Sequence, residues 1–364
     1  MKKAWSDCKN ILCIRVDNMG DLMMSSPAIN ALKESFSCKI TVLTSPKASD
    51  LARLLPCIDD VMVCEAAWVK SENADTPSDY IALAEEIKKR DFDACIIFTV
   101  YSQNPMPAII LAYLAEIPLR LAYCRENPYH LLSDWVPERE PYAIIKHQVQ
   151  RDLDLVAEIG AIPTHQNYDL PLTKSAINSA QRKLNEKGIS PNCSYMVFHC
   201  GVSEPKREYP ANLWIETAKL AGAIFGFPIV FTGSKSEKPR IDEIQEALDK
   251  NCISCAGLFS LEEFIAVLKE AVVVVSVNTG TIHLSAAVQT PTVVLYAQSN
   301  PQHTPWNVVN SVLDFSIPEN LKSKNEVISY VDQLLYFEEK PYPSPEEVCN
   351  SIKGMLSSSL KTTL

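Results

Sequence analysis

Short apolar runs alternate with longer segments of helical period along this chain, and the alternation runs through twice. Ile11-Leu12-Cys13-Ile14-Arg15-Val16 and residues 40–43, 60–63, 94–98 and 119–123 have the length and apolar character of buried strands. Residues 21–35, 78–90, 105–115 and 146–160 repeat their apolar positions at helical spacing. After about residue 173 the rhythm restarts: helices over 173–187, 211–225, 237–249 and 280–288 interleave with strands over 195–198, 228–231, 271–276 and 292–296. A last helix is expected over 344–356, with Ser344 as its cap and Pro345 in its first turn. Strands that are apolar throughout are covered on both faces, so this pattern predicts parallel sheets between helices. The expected architecture is α/β, with two Rossmann-like domains, 1–172 and 173–364, facing a central cleft. Ligands in such folds bind beyond the carboxyl ends of the strands. The length of 364 residues suits two domains of ordinary size.

Charge and composition exclude several functions. The formal net charge is −10, which argues against a nucleic-acid partner, because that needs clustered cations. No apolar stretch approaches a membrane span, and Met1-Lys2-Lys3 is not followed by a signal-peptide core, so at most peripheral membrane contact is expected. The 12 cysteines form no regular framework and sit mostly in apolar runs, which fits buried thiols in a reducing cytoplasm. Cys252 and Cys255 lack a second pair at zinc spacing, and they read as a strand-edge pair. With 10 glycines the chain has neither a dinucleotide fingerprint nor a phosphate-binding P-loop, which excludes nicotinamide dehydrogenases and P-loop NTPases. Two Asp-x-Asp matches, Asp91-Phe92-Asp93 and Asp152-Leu153-Asp154, stand before a strand and inside a helix. Neither is placed for a metal at a strand's carboxyl end, and no metal site is expected. Residues 65–80, around Asn73-Ala74-Asp75, read as a polar loop. The stretch 298–310, rich in Asn, Gln and Pro, reads as a loop bordering the cleft.

Four segments are candidates for chemistry. Asp17-Asn18-Met19-Gly20-Asp21 joins the first strand to the first helix. Gly20 permits a tight turn, and Asp21 either caps the helix or takes a proton from a substrate hydroxyl. Asn278-Thr279-Gly280-Thr281-Ile282-His283 opens a helix after an apolar strand. Free N–H groups there, with the threonine hydroxyls, suit a phosphate. Lys206-Arg207-Glu208-Tyr209-Pro210 follows a strand and is either a solvated turn or a pair of cations for a diphosphate. Thr232-Gly233-Ser234-Lys235-Ser236-Glu237 leads into a helix, where Glu237 is either a cap or a ligand for ribose hydroxyls.

Taken in order, these segments resemble glycosyltransferase family 9, the heptosyltransferases of lipopolysaccharide core assembly. The resemblance lies in Arg15 to Asp21 with Ser26-Pro27-Ala28, Arg120 to Tyr123 with His147 and Asp152-Leu153, His199-Cys200-Gly201 with Lys206 to Pro210, and Asn278 to Ala287. It implies a GT-B fold and an inverting, metal-independent transfer from a nucleotide sugar, typically ADP-heptose, with no further cofactor. Asp21 is then the general base. Arg207 stands where the family usually has Lys, with Lys206 beside it, and either cation serves the leaving group. Glu237 and Gly233, with Asn278, Thr279, Gly280, Thr281 and His283, form the donor side. Asn18, Gly20 and Arg120 stand on the acceptor side. Asn278 replaces the family's usual acid, and Tyr209 its usual Trp. The implied partners are a nucleotide sugar and a glycan or glycolipid acceptor, met by a monomer in the cytoplasm at the inner face of a bacterial membrane. A nucleotide-sugar epimerase and a non-catalytic nucleotide-sugar binding protein are the competing readings.

Overall fold

The computed structural model describes residues 4–70, 75–202 and 204–361, and side chains as far as 357. Met1-Lys2-Lys3 and the Asn73-Ala74 part of the polar loop lie outside the described residues. Contacts divide the chain into two compact units, Met1–Pro171 and Leu172–Leu364.

The first unit runs β1 (Asn10–Arg15), α1 (Met19–Phe36), β2 (Lys39–Thr44), α2 (Pro46–Leu54), β3 (Asp60–Val63), α3 (Pro77–Lys89), β4 (Ala94–Ile97), α4 (Met106–Leu114), β5 (Leu119–Cys124), β6 (Asp134–Pro137) and α5 (Gln148–Ala157). Its six strands are all parallel, in the order β3-β2-β1-β4-β5-β6. β1 lies in the middle, with Ile14 beside Leu43 on one flank and Ile97 on the other. From Ile11 to Arg15 every residue of β1 is buried, as a strand covered on both faces requires.

The second unit runs α6 (Lys174–Glu186), β7 (Met196–His199), α7 (Ala211–Phe225), β8 (Ile229–Thr232), α8 (Lys238–Glu246), β9 (Cys252–Ser254), α9 (Leu261–Glu270), β10 (Val273–Val277), α10 (Gly280–Ala287), β11 (Thr292–Ala297), β12 (Asn310–Phe315), α11 (Glu326–Leu335) and α12 (Pro345–Lys361). Its sheet is again parallel, in the order β12-β11-β10-β7-β8-β9. Counted from β7, this repeats the strand order of the first unit. α12 packs on α7 and the β10–β12 side of the sheet. Phe198, Trp214 and Phe231 anchor the core, their ring centroids 5.7 Å apart in two Phe198 pairs.

Several elements escape the periodicity reading. β6, β9 and β12 are short or lie at sheet edges, and β12 is only partly buried along its length. α2 is nine residues long but begins with Ser45-Pro46, and α9 begins with Ser260 and Glu263 in a capping box. Among the described residues no disulfide joins the twelve cysteines, and every one except Cys193 is buried. Burial pushes Cys57 and Cys64 up to about 12, and Cys252 and Cys255 up to about 11. Among the described residues no helix is long and apolar enough to cross a membrane.

In each sheet the strand order reverses once, between β1 and β4 and between β7 and β10. Loops leaving the carboxyl ends of such neighbours diverge to opposite faces and open a crevice between them. Three of the four candidate segments leave these strands.

Candidate active site

At the first reversal, β1 ends on Arg15, whose side chain is completely buried. Its Nε lies 3.3 Å from Asp17 Oδ2, and its Nη2 lies 3.2 Å from Asp21 Oδ1. Asp21 is the third residue of α1, and its Oδ2 accepts the Asn18 N–H at 3.2 Å. The carboxylate therefore caps the helix and pairs with Arg15 at once, while 14% of its side chain stays exposed. The helix begins at Met19, so Gly20 is a buried helical position rather than the turn expected before the helix. Asn18 is exposed beside it.

Asp17 is held from three sides. Gln103, in the loop after β4, donates its Nε2 to Asp17 Oδ1. The Ser45 hydroxyl donates to the Asp17 carbonyl at 2.5 Å. Burial pushes the Asp17 carboxyl above the usual range; Arg15 pulls it down, Asp21 pushes it up, and the Gln103 bond lowers it. Beneath lies Asp152 on α5, accepting the Ser25 hydroxyl at 2.6 Å and the Gln148 amide at 2.8 Å. Burial raises it to about 6, against the pull of Arg15. Its neighbour Arg151 binds Glu138 and Glu140 at 2.5–3.0 Å and stacks over Tyr123. Asp154 pairs with Lys146, and Asp93 accepts the Lys9 and Asn10 N–H groups, so these Asp-x-Asp carboxylates serve the fold.

Arg120 requires a correction. It sits level with Cys95 and Leu12, near the amino end of its sheet, whereas Asp17 and Asp21 follow the carboxyl end of β1. Its guanidinium donates to the carbonyls of Leu131, His130 and Ile117 and lies over the Tyr113 ring. It is a staple of the fold, with its guanidinium spent on carbonyls of residues 117–131.

The second reversal gathers the other segments. Arg207, at the end of a short turn after β7, donates Nη1 to the Asn278 carbonyl at 3.1 Å. Lys206 and Arg207 both reach Glu204, at 3.3 and 3.4 Å, and Arg207 has the Asn278 bond besides. Arg207, the second of the two cations, is thus the one tied to the start of α10. Arg207 Nε and Thr279 Oγ1 are buried without a hydrogen-bond partner, an uncommon state that a bound acceptor-rich ligand would relieve. Gly280 opens α10, Thr281 is buried in its first turn, and His283 is buried one step on. The His283 ring lies 6.3 Å from His303 of the Asn-, Gln- and Pro-rich loop, edge to face.

Asn278 itself is almost fully engaged. Its Nδ2 donates to the Ala297 carbonyl and Ser299 Oγ, both at 3.1 Å, and its Oδ1 accepts the Ala297 N–H at 3.2 Å. Both amide hydrogens are spent joining the end of β10 to the end of β11. The expected donor contact can use only a remaining oxygen lone pair.

Glu237 precedes α8 and accepts the Ser234 N–H at 2.7 Å. A Cβ at Gly201 would stand 2.7–2.8 Å from its carboxyl carbon and Oε1, and one at Gly233 3.1 Å from Oε2. Gly201 therefore makes room for this carboxylate, whereas a Cβ at Gly233 would meet the Ile241 side chain first. Beside it, His199 ends β7 with Nδ1 3.0 Å from Thr232 Oγ1 and its ring against Phe264. Burial depresses the imidazole to about 4, with Glu237 pulling the other way, so it is neutral at neutral pH. The sequence alone assigns His199 no role, although its place at a strand's carboxyl end is a signal for one. Tyr209 is buried against Trp214 and donates its hydroxyl to the Pro343 carbonyl at 2.6 Å, tying the basic loop to the segment before α12. Glu208 beside it pairs with Arg240.

The family model for glycosyltransferase family 9 (heptosyltransferase) matches residues 80–329. The chain is 26% identical over 313 residues to lipooligosaccharide heptosyltransferase 2 of Haemophilus influenzae, covering 81% of this chain and 85% of that one. A family 9 glycosyltransferase structure from Veillonella parvula superposes with a TM-score of 0.80 at 18% identity, covering 98% and 99% of the two chains. The structure of Escherichia coli ADP-heptose lipopolysaccharide heptosyltransferase II does so at 0.71 and 19% identity, covering 96% and 99%. These likenesses show the GT-B fold. With its family model matched over most of its length, the chain belongs to glycosyltransferase family 9 and is a glycosyltransferase.

Proposed function

We propose that this enzyme moves heptose from ADP-heptose onto a hydroxyl of the lipopolysaccharide core or a related glycan, inverting the anomeric carbon without a metal ion. The observation that carries the reading is the start of α10, where Arg207 is fixed to the Asn278 carbonyl and two buried polar atoms, Arg207 Nε and Thr279 Oγ1, lack partners. A cation at a helix N-terminus suits the diphosphate of a nucleotide sugar and stabilises it as it departs. Heptosyltransferase names among the relatives support the sugar and the acceptor class.

The chemistry then needs one base. Asp21 takes the acceptor proton as that oxygen attacks the anomeric carbon. The new C–O bond forms on the face opposite the breaking bond to the diphosphate, and ADP leaves with Arg207 against its charge. The α10 N–H groups, Thr279 and Thr281 complete the phosphate cradle, His283 supports it from the first turn, and Lys206 adds positive charge nearby. Glu237, seated by Gly201 and with Gly233 beside it, accepts from ribose hydroxyls. Asn18 and Gly20 border the acceptor at Asp21. We place the protein in the cytoplasm as a monomer, meeting its acceptor at the inner face of a bacterial membrane.

Asp21→Ala tests the base. It is expected to lower the transfer rate by about 10²–10⁴-fold with ADP affinity retained. A rate within about tenfold of the parent would remove Asp21 from that role. The donor is tested by thermal stabilisation with ADP-, UDP- and GDP-sugars, since a ligand of the folded state raises stability with its saturation. Selective stabilisation by UDP-sugars would reject ADP-heptose.

A further inference from the structure

We propose that Asp17 is a positioning residue that sets the basicity of Asp21 by sharing the buried Arg15 guanidinium with it. The inference rests on the reading of Asp21 as the base. Arg15 is one cation facing two carboxylates from the same short segment, at 3.3 Å to Asp17 and 3.2 Å to Asp21. A buried guanidinium bound to a base alone would hold it as a stable anion and weaken it, whereas a general base works best when its affinity for protons lies near the operating pH. A second carboxylate on the Nε edge of the same guanidinium competes for that charge and returns basicity to Asp21.

The surroundings make Asp17 the deciding group. The other charges facing Arg15 come from α5. There Asp152 also draws on Arg15, but less than Asp17 and Asp21 do, and it is bound to Ser25 and Gln148 as well, while Arg151 is bound to Glu138 and Glu140. Asp17 caps no helix. Its carboxylate is fixed by Arg15 and by Gln103, which reaches it from the β4–α4 loop across the strand-order reversal. That amide bond favours the ionised form that the sharing requires, against the cost of burial. Ser45 pins the Asp17 backbone from the end of β2.

The test is the pH profile of kcat/KM for ADP release from ADP-heptose with truncated lipopolysaccharide core as acceptor. Its acid limb reports the base of the free enzyme. In Asp17→Asn, Arg15 acts on Asp21 without its strongest rival, leaving only the more weakly coupled Asp152. The limb is expected to move down by about one pH unit, the plateau kcat to fall about tenfold, and the donor KM to change by less than about twofold. Gln103→Leu, which lets Asp17 protonate more readily, moves the limb the same way by less. A limb that stays in place or moves up in folded Asp17→Asn overturns the proposal. If that variant does not fold, an unmoved limb in Gln103→Leu overturns it instead. Asp21→Ala separates the two ideas. An active Asp21→Ala defeats the base reading itself. An inactive one, together with an unmoved limb in Asp17→Asn, removes only the role of Asp17.

Discussion

Replacing Asn278 with aspartate exchanges one heavy atom, and the structure gives the cost. The residue is 6% exposed, and its Nδ2 holds the Ala297 carbonyl and Ser299 Oγ, both at 3.1 Å. A carboxylate oxygen in that place cannot donate. The Ser299 hydroxyl can turn and become the donor, but the Ala297 carbonyl then faces an anion with no proton between them. Losing that bond and stranding a buried acceptor costs about 1–3 kcal/mol, and burying the charge adds to it. Arg207, bound to the Asn278 carbonyl, returns part of this. The expected net loss is about 2–3 kcal/mol, which for a unit of this size lowers the melting temperature by roughly 5–10 °C. The loss should depend on pH with a definite sign. The new carboxyl is held above its unfolded value near 3.9, so the penalty is present at neutral pH and fades as pH falls and the acid protonates. Scanning calorimetry of Asn278→Asp beside its parent, at about pH 7.5 and again at about pH 4.5, checks both the size and the sign. Equal melting temperatures at neutral pH would refute the view of Asn278 as a clamp between β10 and β11.

Two further substitutions probe other parts of the second unit. Gly201→Ala puts a methyl against the Glu237 carboxylate, which must swing off the Ser234 N–H. ADP affinity measured by titration calorimetry should fall about tenfold with less than about 1 kcal/mol of stability lost, because a long side chain can move aside. Glu263 accepts from Lys183, Ser179 and the Ser260 N–H, each at 2.7 Å. Burial opposes its charge, but these bonds outweigh it and bring the carboxyl down to about 2. Its folded value is depressed, so its contribution is full above about pH 4.3 and is lost as pH falls towards 2. Glu263→Gln should therefore cost about 2 kcal/mol in denaturant unfolding at pH 7, and the gap should narrow below pH 4.

The rhythm of apolar runs made both parallel sheets legible, because strands covered on two faces cannot hide their composition. The edge strands β6 and β12 were harder to see, since one flank of each has no neighbouring strand and their burial is partial. Asp21 stood out through its place after a strand, and cap and ion-pair partner proved to be one position. Arg15 was invisible as a site residue. Inside an apolar run it reads as an interruption, and its partners show only when the chain turns back at Asp17 and Asp21. Arg120 misled for the converse reason: a cation in a strand carries no mark of which sheet end it occupies, and three carbonyls from residues 117–131 claim it. The clamp at Asn278 depends on Ala297, nineteen positions away on the neighbouring strand, a pairing that only the register of β10 and β11 discloses.

The thiols give this molecule an internal gauge of its own opening. Cys193 alone is partly accessible, while Cys8, Cys13, Cys38, Cys57, Cys64, Cys95 and Cys124 are shut in the first unit and Cys200, Cys252, Cys255 and Cys349 in the second. An alkylating reagent meeting the native chain should add a single tag. Each further mass increment then dates the exposure of a buried sulfur, and peptide mapping tells which half of the protein breathed first.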